Sequence, residues 1–270
     1  MIYSGFNWEM DGAFLAASEA AHERLIPAVD TKRGTTMPQE HGNAMSNQVY
    51  EHLKDLILSQ QIKPGEKIPE AKIAAQFGFS RTPIREAIKQ LANDGIVTLY
   101  PNRFAEVAVF SGEWLQEVGI VRLALDTVAA RLAILHGSNY DYSVMEAYNE
   151  RCLSATRAGD VAQRIKMNCA FHLELSRIGK NAELYDMQKR LYLKLEFAQA
   201  CHYSNVQPEE EQYRQHAEMI RALYDRDEER LITLLATHEH TFHNMEKDPA
   251  VIRDINLLFA PVPRGGGTDA

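Results

Sequence analysis

From Asn47 to about residue 246, apolar residues return every three or four positions, and only one stretch breaks that rhythm. Val49, Leu53, Leu56 and Ile57 predict a helix, ended by the turn-forming run Lys63-Pro64-Gly65. A second helix is predicted over about Pro69 to Phe77 with Gly78 closing it, and a third over Arg81 to about Asn93, stopped by Asp94-Gly95. Alternation then takes over. Ile96 to Tyr100 and Ala105 to Phe110 read as two short strands around Pro101-Asn102-Arg103-Phe104, a hairpin. After Ser111 the helical spacing resumes over about 112–136, 141–158, 160–178, 181–203, 209–225 and 227–246, divided by Gly137, Gly159, Gly179 and Pro208.

The expected fold is therefore mainly α. Helix, tight turn, helix and hairpin make an N-terminal winged helix-turn-helix, and six helices on short connections imply a C-terminal all-α antiparallel bundle. The expected divisions are an extension over 1–46, the winged module over 47–110, the bundle over 111–247 and a tail over 248–270. The extension carries one candidate helix, Glu9 to Arg24.

Charge locates the partner. The chain has a net charge of −8, which at first argues against nucleic acid. Residues 47–110, however, carry eight Lys/Arg against seven Asp/Glu, whereas 1–46 carry a net −3 and 111–270 a net −6. A near-neutral module on an acidic body fits a DNA reader that relies on local placement of its cations, and excludes a non-specific polyanion binder. No apolar run is long enough for a membrane helix and no secretory leader pattern is present, so a cytoplasmic protein with no membrane partner is expected. Cys152, Cys169 and Cys201 are too few and too far apart for a disulfide framework or a thiolate zinc site.

The third helix carries the DNA argument. Ile84, Ala87, Ile88 and Leu91 share one face and should be buried. Arg81, Arg85 and Lys89 share another, with Thr82 beside Arg81, Ser80 placed to cap the helix and Pro83 tolerated in its first turn. A helix start bearing Arg and Thr suits the major groove, where its amides attract phosphate and Arg can bind guanine bidentately. Arg103 at the hairpin tip would enter the minor groove or touch phosphate.

The run Phe79-Ser80-Arg81-Thr82-Pro83-Ile84-Arg85-Glu86-Ala87, followed by Leu91 and Asp94-Gly95-Ile96-Val97, resembles the signature of the GntR family of transcription regulators. The resemblance implies operator contacts by Arg81, Thr82 and Arg85, with Lys72 contributing from the preceding helix. The wing departs from the family pattern, which commonly reads Arg-Gly at the tip, because Phe104 follows Arg103 here.

In the bundle, Asn168 and His172 lie one turn apart on a single helix, and His216 and His238 lie on two later ones. Three imidazoles and an oxygen donor from three helices make a candidate site for a divalent ion, Zn²⁺ foremost, with Ni²⁺ or Mn²⁺ as alternatives. His240 and His243 are expected to face elsewhere, and His202 to serve as a charge at a helix end. Val121-Arg122-Leu123-Ala124-Leu125-Asp126, then Asn168-x-x-Phe171-His172-x-x-Leu175, then His216-x-x-Met219-Ile220-x-Ala222-Leu223 and a final His238 resemble the FCD sensor domain of the FadR subgroup, in its six-helix, VanR-like form. That domain's metal set is usually one Asp and three His, so Asn168 is a departure. An amide ligand leaves the ion about +2 rather than +1, which should weaken metal binding and favour an anionic effector. Arg122 is either a salt-bridged bundle residue or the group that receives an effector carboxylate. Tyr192, Phe197 and Phe171 are expected in the core, with a place in the pocket lining as the alternative.

The resulting expectation is a homodimeric regulator, a repressor in the first instance, that binds a pseudo-palindromic operator under control of a small anionic metabolite. It is expected not to be an enzyme. A metalloenzyme would need a general base at the metal, and neither Glu174 nor Glu239 has a spacing that aims it there. A purely structural helical dimer leaves the Arg/Thr-headed third helix without a purpose.

Overall fold

A computed structural model describes residues 39–101, 103–202 and 209–243, so the candidate helix Glu9 to Arg24 and the tail 248–270 lie outside the described residues. The first helix among the described residues, α1 (Gln39–Leu58), begins well before Asn47 and runs across the expected boundary at residue 46. Apolar spacing could not announce its first turns, because residues 44–48 are exposed or half-buried and present no face to a core. From Val49 onward, Val49, Leu53 and Ile57 turn inward and are fully or nearly fully buried.

Next come α2 (Glu70–Phe77) and α3 (Arg81–Asn93). Between them Gly78 takes a left-handed conformation with φ of 70° and donates its N–H to the Ala74 carbonyl, closing α2 without a side-chain penalty. Ile73 from α2 and Ile84, Ala87, Ile88 and Leu91 from α3 complete a core with α1. Ser80 occupies the N-cap position of α3 but makes no side-chain cap hydrogen bond, which corrects the capping expectation. The strands β1 (Val97–Tyr100) and β2 (Phe104–Val107) pair antiparallel, Val97 opposite Val107 and Tyr100 opposite Phe104. Before α2, Ile68 donates to the Ala105 carbonyl, and with Lys67 bridged to Glu106 it lines the edge of β2 away from β1. The hairpin tip has a packing explanation for Phe104. Its ring lies 4.6 Å from that of Tyr100 and beneath the Lys67 ammonium at 4.0 Å, an aromatic clasp in place of a bare glycine turn.

The rest is helical among the described residues: α4 (Gly112–His136), α5 (Asn139–Ala158), α6 (Val161–Ile178), α7 (Ala182–His202), α8 (Glu209–Tyr224) and α9 (Glu228–His243). Polar side chains stop and start these helices. Ser111 caps α4, Ser138 and Asp141 form a reciprocal capping box on α5, and Asp160 caps α6. Helix α6 packs against α4, α5 and α7, and α9 against α4 and α8. Ala129, Ala133, Tyr142, Phe171, Leu175, Met219, Leu223 and Leu235 form the main core of this bundle.

One helix belongs to both cores. Tyr192 and Leu195 of α7 pack within the bundle, whereas Phe197 and Ala198, one turn on, join the core of the winged module. Gln60 after α1 donates to the Ala200 carbonyl at 2.8 Å, and a ring nitrogen of His202 meets the Phe110 carbonyl at 2.8 Å. His202 is thus a bridge to the wing rather than only a charge at a helix end.

Candidate metal centre and DNA-facing helix

The outward face of α3 is as its spacing requires. Pro83, Ile84, Ala87, Ile88 and Leu91 are buried, and Arg81, Thr82, Arg85 and Lys89 are exposed along the opposite side. Lys72 on α2 and Arg103 at the hairpin tip are exposed as well. Two of these cations have acidic neighbours: Arg85 lies 3.6 Å from Glu70, and Lys89 lies 2.8 Å from Glu86. Pairs this exposed are worth little in water, so phosphate or a base edge can replace the carboxylate at small cost.

The bundle holds the second constellation. His172, His216 and His238 are buried, and one nitrogen of each lies within 4.8 Å of the others. Their outer nitrogens show how the rings are held. His216 Nδ1 donates to Asn149 Oδ1 at 3.1 Å, and His238 Nδ1 donates to Gln215 Oε1 at 2.7 Å. Both amide oxygens are oriented in turn, because Asn149 Nδ2 donates to the Tyr213 carbonyl and Gln215 Nε2 to Glu211. His172 Nδ1 faces Asp126 Oδ2 at 3.6 Å. On His216 and His238 the oxygen partner keeps the proton on Nδ1 and leaves the lone pair on Nε2, which is how outer partners prepare metal-binding histidines.

These residues fit a divalent ion. His172 Nε2 and His238 Nε2 are 3.2 Å apart. Ligand nitrogens about 2.0–2.1 Å from one ion sit roughly 3.0–3.4 Å from each other, so the separation matches an edge of a coordination polyhedron. His216 Nε2 is buried with no hydrogen-bond partner among the described residues. Burial, helped by the Arg122 guanidinium, pushes the His216 imidazole down to about 3, so it stays neutral and keeps its lone pair. Asn168, one turn before His172 on α6, is buried, and its Oδ1 accepts a hydrogen bond from Gln212 at 2.8 Å.

Behind His172 lies a charged cluster that spacing alone did not assemble. Arg122 and Asp126, one turn apart on α4, are fully buried, as is Glu239 on α9. Arg122 lies 2.8 Å from Glu239 and 3.4 Å from Asp126, and its Nε donates to the Tyr192 hydroxyl at 3.0 Å. The Tyr192 hydroxyl donates to Asp126 at 2.7 Å, and Gln188 also donates to Asp126. Burial raises both carboxyls, against the pull of the Arg122 guanidinium beside them. Asp126, His172 and Glu239 also lie close enough to suggest a cation, but the guanidinium already occupies that place. Glu239 thus comes close to His172, contrary to the expectation from its spacing. It follows His238 directly, and neighbours on a helix differ by about 100°, so the two flank one site from the same turn. Glu174, in contrast, is engaged by Arg177.

Of the core aromatics, Phe171 stacks on His216 with centroids 4.0 Å apart, and Tyr192 belongs to the charged cluster. The side chains of His240 and His243 lie outside the described residues.

Residues 45–107 match the model of the bacterial regulatory proteins of the gntR family, and residues 117–241 match the FCD domain. The chain belongs to the GntR family. It is a DNA-binding transcription regulator with an FCD domain, an architecture that the FadR-like subgroup fits, and its families and relatives are regulators rather than enzymes. It is 25% identical over 206 residues to the HTH-type transcriptional regulator YdhC of Bacillus subtilis, covering 74% of this chain and 92% of that one. It is 24% identical over 211 residues to the HTH-type transcriptional repressor RspR of Escherichia coli, covering 78% and 90%. In fold it is similar to Escherichia coli McbR/YncC, with a TM-score of 0.62 at 22% identity over 80% of this chain and 96% of that one. Among the described residues, no helix is long and apolar enough to cross a membrane.

Proposed function

We propose that this GntR-family protein is a repressor whose hold on DNA is set by a small carboxylate effector at a metal-bearing site in the FCD domain. The observation that carries the reading is the convergence of three buried imidazoles, with Nδ1 of His216 and of His238 tied outward and Nε2 of His172 and of His238 3.2 Å apart. Asn168, His172, His216 and His238 would hold the ion, for which imidazole ligands favour Zn²⁺, with Ni²⁺ and Mn²⁺ also suited. A bound ion would supply a Lewis-acidic position for a carboxylate. Arg122 would receive the same anion by exchanging Glu239 for it, because a guanidinium fork accepts either carboxylate equally.

Lys72, Arg81, Thr82, Arg85, Lys89 and Arg103 would contact the operator, and the name of the RspR relative supports a repressing role. A homodimer on a pseudo-palindromic site is supported by the outer face of α4, where Val121, Val128 and Leu135 stand exposed at seven-residue intervals. Helix α7 would carry the signal, since Tyr192 touches the charged cluster and Phe197 lies in the core of the winged module. Effector and operator affinities would then be coupled reciprocally.

The test is metal analysis of the purified protein beside His172→Ala, followed by operator binding with and without chelator and a panel of small carboxylates. Metal in the parent alone, and an operator affinity that moves with metal and carboxylate, is the expected result. Equal, near-zero metal in both proteins removes the ion from this reading.

A further inference from the structure

The buried amides beside the metal position form a chain that runs in one direction. Arg164, one turn before Asn168 on α6, donates from Nη1 to Gln212 Oε1 at 2.9 Å. Gln212 Nε2 donates to Asn168 Oδ1 at 2.8 Å, Asn168 Nδ2 to Gln199 Oε1 at 3.4 Å, and Gln199 Nε2 to Cys169 Sγ at 3.5 Å. All five side chains are buried, so none can turn to water instead. A guanidinium only donates. Gln212 must therefore give Arg164 its oxygen, which leaves its NH₂ for Asn168, and Asn168 must answer with Oδ1. The polarity of every link is decided at Arg164.

Polarity matters at Asn168 because only one end of an amide can bind a cation. A flip of about 180° exchanges oxygen for NH₂ with almost no change in shape, so packing alone does not choose between them. A carboxylate faces no such choice. Gln212 takes one of the two lone pairs of Asn168 Oδ1, and the second is what an ion would use.

We infer that Arg164 is a positioning residue for the metal site: acting through Gln212, it fixes the Asn168 side chain in the orientation whose oxygen can serve as a ligand. It also explains a fully buried arginine on the same face as Asn168 and His172, at positions 164, 168 and 172 of one helix. The inference rests on the metal reading above and adds to it a role for a residue that touches no ion.

The experiment uses the full chain and Co²⁺, whose visible d–d bands report the ligand set, with the affinity taken from the same titration. Arg164→Met is expected to weaken Co²⁺ binding by about tenfold or more, the scale on which the outer partners of ligands act, and to change the band shape. Arg164→Met combined with Asn168→Asp should bind as tightly as Asn168→Asp alone, because a carboxylate presents oxygen either way. If the double variant remains as impaired as Arg164→Met, Arg164 acts only through packing and the inference is overturned. Gln212→Glu gives a test by sign that does not require removal of the buried arginine. It can pair with Arg164 but cannot donate to Asn168, so binding should weaken although a negative charge has been added. A gain in affinity overturns the inference. A parent protein that binds no Co²⁺ at all overturns the metal reading itself, which separates that failure from a parent that binds normally and is matched by all these variants.

Discussion

The winged module and the FCD domain place their candidate site residues on opposite sides of the water boundary. On α3 the cations Arg81, Arg85 and Lys89 are exposed, and the apolar residues behind them hold the helix in place. In the bundle, His172, His216, His238, Arg122, Asp126 and Glu239 are all buried, and they are the core of their layer as much as they are its chemistry. Recognition and stability are therefore separable in the first region and entangled in the second. A surface cation can be changed at little cost to the fold, whereas each buried polar group leaves a partner unsatisfied when it goes.

The sharpest way to break this contrast is at α3. Arg81→Ala with Arg85→Ala should lower operator affinity at least about 30-fold, taking roughly 1–3 kcal/mol for each lost contact. The same variant should unfold within about 0.5 kcal/mol of the parent in denaturant, since both side chains are exposed. Unchanged operator binding in a footprinting or fluorescence titration would remove α3 as the reading helix.

In the bundle the expected coupling runs the other way. Added Zn²⁺ is expected to raise the melting temperature of the parent, and His216→Ala should lose both that rise and Zn²⁺ affinity by about tenfold at the least. A variant that still gains stability from Zn²⁺ would place the ion elsewhere.

The seam between the regions can be probed by pH. Glu196 of α7 is half-buried, and its desolvation raises the carboxyl to about 7, opposed by Lys54 and Lys166 and reinforced by Glu51. A carboxyl raised on folding favours the native state while protonated. The parent should therefore lose stability as pH rises from about 4.5 through about 7, and Glu196→Gln should not. At pH 8 the variant should be more stable by about 1–3 kcal/mol, with the gain fading near pH 5. Equal pH profiles in chemical denaturation would show that Glu196 finds solvent or a cation.

The smallest effect is expected at Ser80. Its hydroxyl makes no cap hydrogen bond, so Ser80→Ala should cost no more than about 0.3 kcal/mol, against about 1 kcal/mol for a bonded cap. A full-sized loss would mean that the hydroxyl turns to the helix in solution.

Much of this protein could be read from residue order, and the reason is local. Helix faces follow from spacing, so the burial of Ile84, Ala87, Ile88 and Leu91 opposite Arg81 and Arg85 required only a periodicity of 3.6. The breaks at Gly78, Gly137 and Gly159 were readable for the same reason, as were the helix ends near them. The start of α1 was not, since exposed residues 44–48 carry no periodic mark of a helix. The four proposed ligands could be named because Asn168 and His172 stand one turn apart on one helix, His216 and His238 stand on two later ones, and the four fall on the positions of the FCD resemblance. Their partners could not, since Asn149, Gln215, Asp126 and Glu239 reach the imidazoles from other helices or other turns.

Sequence alone thus determined the elements, their buried faces and the family, because those properties belong to neighbours along the chain. Tertiary packing decided that Arg122 is held by Glu239, that α7 is shared by two cores, and that Arg164 sets the direction of a buried amide chain. Each of these depends on which groups meet once water has been expelled, and the direction of a hydrogen bond between distant residues has no signature in the order of the letters.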